Sequence, residues 1–523
     1  MITVDEMLLR NQLAVNEITF AIPAQSFAIS CAISAEEALP VVTEFALRIA
    51  YVCRGISPTQ IQEFFGFSSK ETDAVVRGLL SERLIQWHDD QLELTSYALA
   101  RFQDSSDNLP RFFKIQDWSA EVVFDLISFS PASRTGRLKR VYSQVELAPR
   151  DFDKQSRTIQ FAEQSFQNNF RQICTKEKAE IYKISSVDPG ERFSIPLPCV
   201  FHLDLNGPPT VARNIDDESF GNRLELAESI SDALANHEPG NNESLRDFIG
   251  MFDDRLLGQY VAKDTFDLRR YVQEAHLTKA SGYHDDRITP MLGALHLKRN
   301  AQMLLSRLQA ELTRDDVIPR QHSDYERIGE EAGAEAHVPA AADHHDALWW
   351  APQSTLWARS RSAQELSRKI GELLKPQQDG GVAVRVIVPS DRRASRELLQ
   401  IYRDEFPRLF SSEISLLNGK LELLLIPERL VCAMYHFHLA HQAIAVPIGF
   451  MSSHPDHLSA VGVLLCGQVR ANPGNFVASR DDGGAEAKQD LIGLIDRLSQ
   501  SLKAAAPSNG RRPRLTLKRP TDR

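Results

Sequence analysis

The stretch GISPTQIQEFFGFSSKET, residues 55–72, holds the helix boundaries that decide the fold of the N-terminal part of the chain. Ser57-Pro58 predicts a helix start, because serine caps the first turn and proline is pre-set for the first helical position. Gly66 predicts the end of that helix, since glycine readily adopts the left-handed conformation that terminates helices. Ser68 and Glu71 predict a capping box, in which each side chain binds the other residue's backbone N–H, so a further helix begins there.

Another helix and a pair of strands are predicted on either side of this stretch. A helix over 39–53 precedes it, and the helix that starts after Ser68 runs to about Arg83. The first helix has apolar residues at helical spacing, namely Val42, Phe45, Ile49 and Val52. Leu84–Trp87 and Leu92–Thr95 alternate like two strands of a hairpin. This order resembles a winged helix-turn-helix, and the resemblance implies that the third helix enters a DNA groove or that the same surface grips another protein.

The charges of this module do not favour a simple DNA reader. Phosphate contact needs cationic side chains, and base edges need forked donors. In the third helix three cations are offset by three acids, namely Lys70, Arg77 and Arg83 against Glu71, Asp73 and Glu82. The wing carries Asp89-Asp90 where a cation would touch phosphate. Protein docking and duplex binding therefore both remain open, with Lys70 and Arg77 as the candidate DNA contacts.

Composition limits the classes of protein to which the chain can belong. Its 523 residues suit about three or four domains, and 42% hydrophobic with 25% charged residues is typical of a globular protein. The net charge of −10 excludes nucleic-acid binding through bulk charge. Six scattered cysteines provide no zinc framework and are typical of a reducing compartment. Because no apolar run is long enough to span a bilayer and no basic signal peptide begins the chain, we expect a cytoplasmic protein without a membrane partner.

Two local basic patches are the remaining candidates for phosphate contact. One lies in a predicted hairpin loop and consists of Arg134, Arg137, Lys139 and Arg140. The other is the C-terminal segment 510–523, with Arg511, Arg512, Arg514, Lys518 and Arg519. Each could neutralise DNA phosphates, or could be a solvated loop and a disordered tail.

The pattern along the chain predicts a mixed α+β protein of several domains. The predicted order is a β hairpin (1–35), the winged helix (36–105), a mixed α/β domain (110–210), a helical region (215–315), a low-complexity linker (316–346), an α/β domain (347–475) and a basic tail (505–523). Within the first α/β domain Asp188-Pro189-Gly190 predicts a turn between strands. The helical region ends in a predicted helix over Met291–Leu312.

The C-terminal block resembles half of a phospholipase D-like domain. A strand like Val384–Val388, a helix and a run like Leu421–Arg429 carry the resemblance, which covers about 125 residues. Sugar-sensing TrmB-type bacterial regulators are similar in pairing a degenerate form of this domain with a winged helix. Trp349-Trp350 at the start of the block could stack bases, but the leucine beside them favours a buried strand.

The resemblance implies a catalytic motif that this sequence lacks. The family uses His-x-Lys followed four residues later by Asp, with histidine as the nucleophile. If Pro427 takes the place of the aspartate, Lys420 and Glu422 stand where histidine and lysine belong; with Glu428 there, two leucines do. The chain's only His-x-Lys is His296-Leu297-Lys298, inside a predicted helix whose i and i+2 positions face different ways. The resemblance therefore implies a binding domain that does not cleave phosphodiesters.

Histidines support a rival, enzymatic hypothesis. His436 and His438 share a face of a predicted strand and could hold a metal with Asp456 or His457 as the third ligand. Together with His457 they could also act in a divergent phosphodiesterase or nuclease. The chain has no Walker loop, dinucleotide fingerprint, nucleophile elbow or zincin motif. Our leading expectation is a non-catalytic, nucleic-acid-associated protein that needs no cofactor or metal and works with partner proteins in a bacterial regulatory or antiviral defence assembly. The defence role is suggested by the domain combination alone, and a ligand-responsive transcription regulator is a third hypothesis.

Overall fold

The structure is a computed structural model. It describes residues 12–37, 39–103, 110–132, 143–176, 178–215, 223–235, 237, 240–262, 265–315, 346–374, 384–390, 395–479, 489 and 491–499. The basic loop 134–140, the tail 505–523 and all but the last residue of the linker 316–346 lie outside these residues. Within them, no helix combines the length and the apolar composition needed to cross a bilayer.

The chain is a mixed α/β protein with several sheets, and its contacts divide it into two compact units. The large unit contains residues 1–23, 136–148 and 194–523, and the small unit contains residues 24–135 and 149–193.

The elements follow one another along the chain in three groups. Up to residue 125 they are β1 (Gln12–Glu37), α1 (Val41–Cys53), α2 (Pro58–Phe65), α3 (Ser69–Ser81), β2 (Ile85–His88), β3 (Gln91–Leu94), α4 (Ser96–Gln103) and β4 (Phe112–Asp125). Up to residue 315 they are β5 (Val145–Glu146), α5 (Phe152–Ser156), α6 (Thr158–Ile173), β6 (Glu180–Asp204), β7 (Thr210–Ile215), α7 (Leu224–Ala235), α8 (Leu245–Phe252), α9 (Arg255–Gly258), β8 (Val261–Ala262), β9 (Thr265–Phe266), α10 (Leu268–Tyr271), the π-helix Val272–Leu277, β10 (Ile288–Leu292) and α11 (Lys298–Asp315). The rest are β11 (Ala347–Trp350), α12 (Arg361–Leu373), β12 (Val384–Pro389), α13 (Ser395–Tyr402), β13 (Leu409–Ser412), β14 (Leu421–Ile426), β15 (Leu430–Phe437), β16 (Val446–Ser452), α14 (Pro455–Ala471), the 3-10 helix Pro473–Asn475, β17 (Phe476–Ala478) and the helical residues 491–499.

The capping signals of the small unit mark real helix boundaries. Ser57 caps α2 through the backbone N–H of Gln60, and Ser68 caps α3 through that of Glu71, each with the reciprocal bond of a capping box. Gly66 ends α2 at φ 69°. Helices α1 to α3 and the antiparallel pair β2–β3 share one apolar core that includes Leu47, Ile61, Val76, Leu79 and Leu92.

The hairpin predicted over residues 1–35 is wrong for the part that is described, because β1 is one long strand. The stretch 12–37 contains no glycine, and Pro23 is compatible with an extended backbone, so nothing in it favours a tight turn. From Phe27 to Ala35 every second residue is buried. This part of β1 pairs antiparallel with β4, and α6 packs against the pair through Phe166, whose ring lies 5.9 Å from that of Trp118.

The turn predicted at Asp188-Pro189-Gly190 is also wrong, because β6 continues through it. Gln25 Nε2 donates to the carbonyl of Gly190 at 3.2 Å, and a Cβ at Gly190 would collide with Ser26 Oγ. Glycine at this position therefore permits the close approach of another backbone segment, which is a common reason for a glycine inside a strand.

The large unit is built on an eight-stranded sheet in the order β10-β16-β15-β14-β11-β12-β13-β17. Strand β12 runs parallel to β11 and β13, and the other described pairs are antiparallel. All residues of β11 to β16 are buried, which indicates a sheet covered on both faces. The core joins strand residues to α11 and α12, as in the contacts among Trp349, Val386, Leu304, Leu308 and Leu366.

The region 215–315 is not helical throughout, and its last helix starts later than predicted. Strand β10 pairs with β16, so Met291 belongs to the sheet. Gly293 follows at φ 84°, where a Cβ would lie 2.8 Å from Leu297 Cδ1, and α11 begins at Lys298. Asn300 Nδ2 donates to three carbonyls of the strand end, which anchors the start of the helix.

Candidate functional site

The outward face of α3 carries the two cations predicted to contact phosphates. Lys70 and Arg77 are both exposed and, seven residues apart, lie on the same side of the helix. Arg77 Nε donates to the carbonyl of Asp73 at 3.1 Å. Glu71 is held by Ser68, whose backbone and side-chain hydrogen bonds lower the pKa of the Glu71 carboxyl, so the acid stays ionised. The face is close to neutral.

The β2–β3 hairpin offers an aromatic ring and acids instead of cations. Trp87 is 52% exposed, and Asp89 adopts φ 52° at the tip beside His88. Residues 84–100 contain no lysine or arginine. This hairpin can contact a partner through Trp87, but it has no side chain to neutralise a phosphate.

Helix α1 exposes an apolar stripe on its surface. Val41, Phe45 and Val52 are 70%, 40% and 69% exposed, and they recur on one side of the helix with Arg48 stacked 5.1 Å above the Phe45 ring. The core is filled instead by Ala46, Leu47 and Ala50. Of the four apolar positions noted at helical spacing, Phe45 and Val52 belong to this exposed stripe, whereas Ile49 packs against the core. Grouped exposed apolar side chains of this kind are typical of docking surfaces.

In the large unit, Glu422 on β14 forms the centre of a buried polar network. Its Oε1 accepts from the indole Nε1 of Trp349 at 2.9 Å and of Trp357 at 3.0 Å, and its Oε2 lies 2.8 Å from His436 Nε2. Burial alone would raise the pKa of Glu422, but His436 and the two indoles outweigh it and lower that pKa. Both carboxylate oxygens are thus occupied by protein donors.

Lys420 and His438 lie beside this network and are covered closely by Gly240. Lys420 Nζ is 3.4 Å from His438 Nδ1, and a Cβ at Gly240 would collide with that lysine. Asn242 fixes His438 by two hydrogen bonds to its backbone, at 2.7 and 2.9 Å. Burial, and next the charge of Lys420, lower the pKa of His438 to about 4, so this imidazole is neutral near pH 7.

The rival catalytic set of His436, His438 and His457 is not assembled. His436 lies opposite Pro447 of β16, whereas His457 Nδ1 contacts Ser452 Oγ at 3.0 Å, at the other end of that strand. The two places are five residues apart, or about 16 Å along the strand. The spacing of histidines in sequence does not reveal this separation.

His296 is buried, and it precedes α11, where the sequence predicted it inside a helix. Among the described residues its Nε2 has no hydrogen-bond partner. Burial lowers the pKa of His296. Lys298 is exposed, so this His-x-Lys does not form a joint site.

Trp349 and Trp350 are fully buried in β11, which confirms the buried strand and excludes base stacking. The sequence alone did not identify Trp349 and Trp357 as hydrogen-bond donors to Glu422. The available signal was Glu422 itself, a lone acid in the apolar strand LELLLI, because a buried acid needs donors.

The cations Arg134, Arg137, Lys139, Arg140, Arg511, Arg512, Arg514, Lys518 and Arg519 lie outside the described residues. In the part of the chain that is described, no three His, Cys, Asp or Glu side chains come together as potential metal ligands. Comparisons with models of protein families, with curated proteins and with solved structures found no match.

Proposed function

We propose that this chain is a non-catalytic, nucleic-acid-associated protein of a bacterial regulatory or defence assembly. In this proposal residues 39–102 are a winged helix whose α3 lies against DNA, and the C-terminal α/β domain is a degenerate phospholipase D-like fold. That domain binds a partner or ligand and does not cleave phosphodiesters.

The non-catalytic part of the proposal is supported chiefly by Glu422, because both oxygens of its carboxylate already accept hydrogen bonds from the protein. In the register that places Pro427 at the family's aspartate, Glu422 occupies the position of the lysine that would neutralise a phosphoryl oxygen. An acid there has the opposite charge, and its oxygens already accept from two tryptophans and one histidine. No histidine nucleophile stands at Lys420.

The order of three helices, two of them with capping boxes, followed by a two-stranded hairpin supports the winged-helix part. Lys70 and Arg77 would contact phosphates from α3. Because the surrounding face is nearly neutral, we expect weak, salt-sensitive binding with little base specificity.

Binding of a labelled random duplex, measured by fluorescence anisotropy on the full chain, tests the DNA contact. We expect Lys70→Glu/Arg77→Glu to lower the affinity by at least about tenfold at about 100 mM salt, and to reduce the salt slope by about two. The matched control is Arg361→Glu/Arg368→Glu at two exposed positions of α12, which makes the same change in net charge with the same spacing. Equal effects of the two variants, or no duplex binding by the wild type at low salt, would refute the proposed DNA contact.

Hydrolysis of bis-p-nitrophenyl phosphate and of plasmid DNA, with magnesium, manganese or zinc added, tests the absence of catalysis. We expect the wild type to match the protein-free blank. Hydrolysis by the wild type that disappears in His436→Ala/His438→Ala would establish the rival nuclease instead.

Docking of a protein partner by the same module is a second candidate, favoured by the apolar stripe of Val41, Phe45 and Val52. Co-purification with the products of the flanking genes would test it. We expect a bound product to be lost in Val41→Glu/Val52→Glu and retained in Arg361→Glu/Arg368→Glu. Equal retention in both would exclude the stripe as the contact.

A further inference from the structure

A cavity of about 710 Å³ lies in the large unit, apart from the Glu422 network. It is lined by the first turn of α11, the π-helix Val272–Leu277, strand β10 and part of β1. Cavities of this size are typical of small-molecule sites. The π-helix is a second indication of function, because such distortions of a helix recur at binding sites.

Much of the wall is apolar. Its apolar residues include Leu13, Ala14, Val200, Ile288, Leu292 and Met303. This wall would accept the hydrocarbon or aromatic body of a ligand.

The rim carries cations for which the described part of the chain provides no partner. Lys279, Lys298 and Arg299 are exposed, and none of them forms an ion pair with a described residue. The backbone N–H groups of Lys298, Arg299 and Asn300, in the first turn of α11, likewise have no hydrogen-bond acceptor among the described residues. A helix of 18 residues adds partial positive charge at that end.

The acids of the same cavity are already engaged, with one exception. Glu17 accepts hydrogen bonds from Ser360 at 2.8 Å and from Ser362 at 2.9 and 3.0 Å. Asp285 is bound by the guanidinium of Arg287 and carries a strongly lowered pKa. The serine hydroxyls on Glu17 are neutral, so Glu17 and the exposed Asp286 face the three cations, and the lining keeps a net positive charge.

His276 adds a neutral polar group to the wall. Its Nε2 lies 3.0 Å from Tyr271 Oη, and its Nδ1 has no described partner. Burial, and next the charge of Arg299, lower the pKa of His276 to about 4. Arg299 and His276 both line this cavity, so a guanidinium and an imidazole are available to one ligand.

We propose that this cavity binds a small organic anion. Its apolar body would lie against the wall formed by β1, β10 and α11, and its anionic group would accept hydrogen bonds from Arg299, Lys298 and the first turn of α11. The site is independent of the DNA contact on α3. Occupation of such a site would make the protein responsive to a metabolite.

Two fluorescent probes with nearly the same body separate the anionic interaction from the apolar one. 8-Anilinonaphthalene-1-sulfonate carries a sulfonate, and N-phenyl-1-naphthylamine lacks it. We expect Lys298→Glu/Arg299→Glu in the full chain to lower the affinity for the sulfonate probe by at least about tenfold. The affinity for the neutral probe should fall by less than about twofold. The control Arg361→Glu/Arg368→Glu should affect neither probe.

The location of the probes is tested by Thr289→Trp, which fills the cavity from β10. We expect this variant to lose both probes. If Thr289→Trp still binds both probes, they bind elsewhere, for example on the α1 stripe, and the proposal is overturned. Equal loss of both probes in Lys298→Glu/Arg299→Glu would also overturn it. If that variant does not fold by circular dichroism, Lys298→Gln/Arg299→Gln replaces it, with a selective loss of the sulfonate probe expected and an equal affinity contradicting the site.

Discussion

At the scale of single residues, Glu422 shows how a buried charge is made tolerable. An isolated carboxylate in an apolar sheet would be strongly destabilising, and the three donors around this one compensate for its lost hydration. Removing the acid therefore leaves two indole N–H groups and an imidazole without their acceptor. The contribution of Glu422 to stability is therefore the cost of leaving these buried donors without an acceptor.

Replacement of Glu422 should accordingly destabilise the large unit. We expect Glu422→Ala to lower the free energy of unfolding by about 3–5 kcal/mol, because it leaves the buried partners unsatisfied, and Glu422→Gln by about 1–3 kcal/mol. The matched control Glu365→Gln, at an exposed pair on α12, should change it by less than about 0.5 kcal/mol. Urea unfolding followed by tryptophan fluorescence measures these differences. Equal stability of wild type and Glu422→Ala would show that the network contributes nothing.

The neutral histidines make stability depend on pH in a defined direction. His276 and His438 have pKa values of about 4 in the folded protein, against 6.5 when exposed. Between these values the unfolded chain binds protons that the folded chain does not, so the free energy of unfolding falls as pH falls from about 6.5 to about 4. For buried His276 the loss between pH 7 and pH 5 is about 2 kcal/mol.

Urea unfolding at about pH 7 and about pH 5 tests this direction through His276→Gln. We expect the variant to lose less stability on acidification than the wild type, because the residue that takes up the proton only in the unfolded chain is gone. An unchanged difference between the two pH values would mean that His276 does not titrate abnormally.

At the scale of elements, the boundaries set by neighbouring residues could be predicted from the sequence, whereas those set by tertiary contacts could not. The capping boxes at Ser57 and Ser68 depend on residues three positions apart, so the sequence was enough to place the ends of α2 and α3. The course of β6 through Gly190 depends on Ser26, more than a hundred residues away, and the start of α11 depends on the pairing of β10 with β16. The Glu422 network likewise joins distant segments, so its acid was visible and its donors were not.

Two glycines of the small unit should respond oppositely to the same substitution. A Cβ at Gly190 would collide with Ser26, so we expect Gly190→Ala to lower the free energy of unfolding by about 1–3 kcal/mol. A Cβ at Gly78, inside α3, meets nothing within 4 Å, so Gly78→Ala should raise it by up to about 1 kcal/mol. Thermal unfolding followed by circular dichroism compares them. A stabilised Gly190→Ala would contradict the close approach of the two backbones.

At the scale of the whole molecule, the distribution of charge decides how DNA can be bound. The net charge of −10 repels a polyanion, so any affinity must come from separate cationic segments. Lys70 and Arg77 on α3 are proposed to supply one pair of such cations, and the tail 510–523 is predicted to supply a second group. Segments that act independently should contribute additively to the number of counterions released.

Removal of residues 510–523 from the full chain tests this additivity. The tail contains five of the predicted contacts, namely Arg511, Arg512, Arg514, Lys518 and Arg519. We expect its loss to reduce the slope of log K against log salt by up to about four or five, and to add to the reduction of about two from Lys70→Glu/Arg77→Glu, because each neutralised phosphate releases about one counterion. Anisotropy titrations of the two single changes and their combination, between about 50 and 200 mM salt, measure the three slopes. A slope that truncation leaves unchanged would assign the whole contact to α3 and refute the phosphate role of the tail.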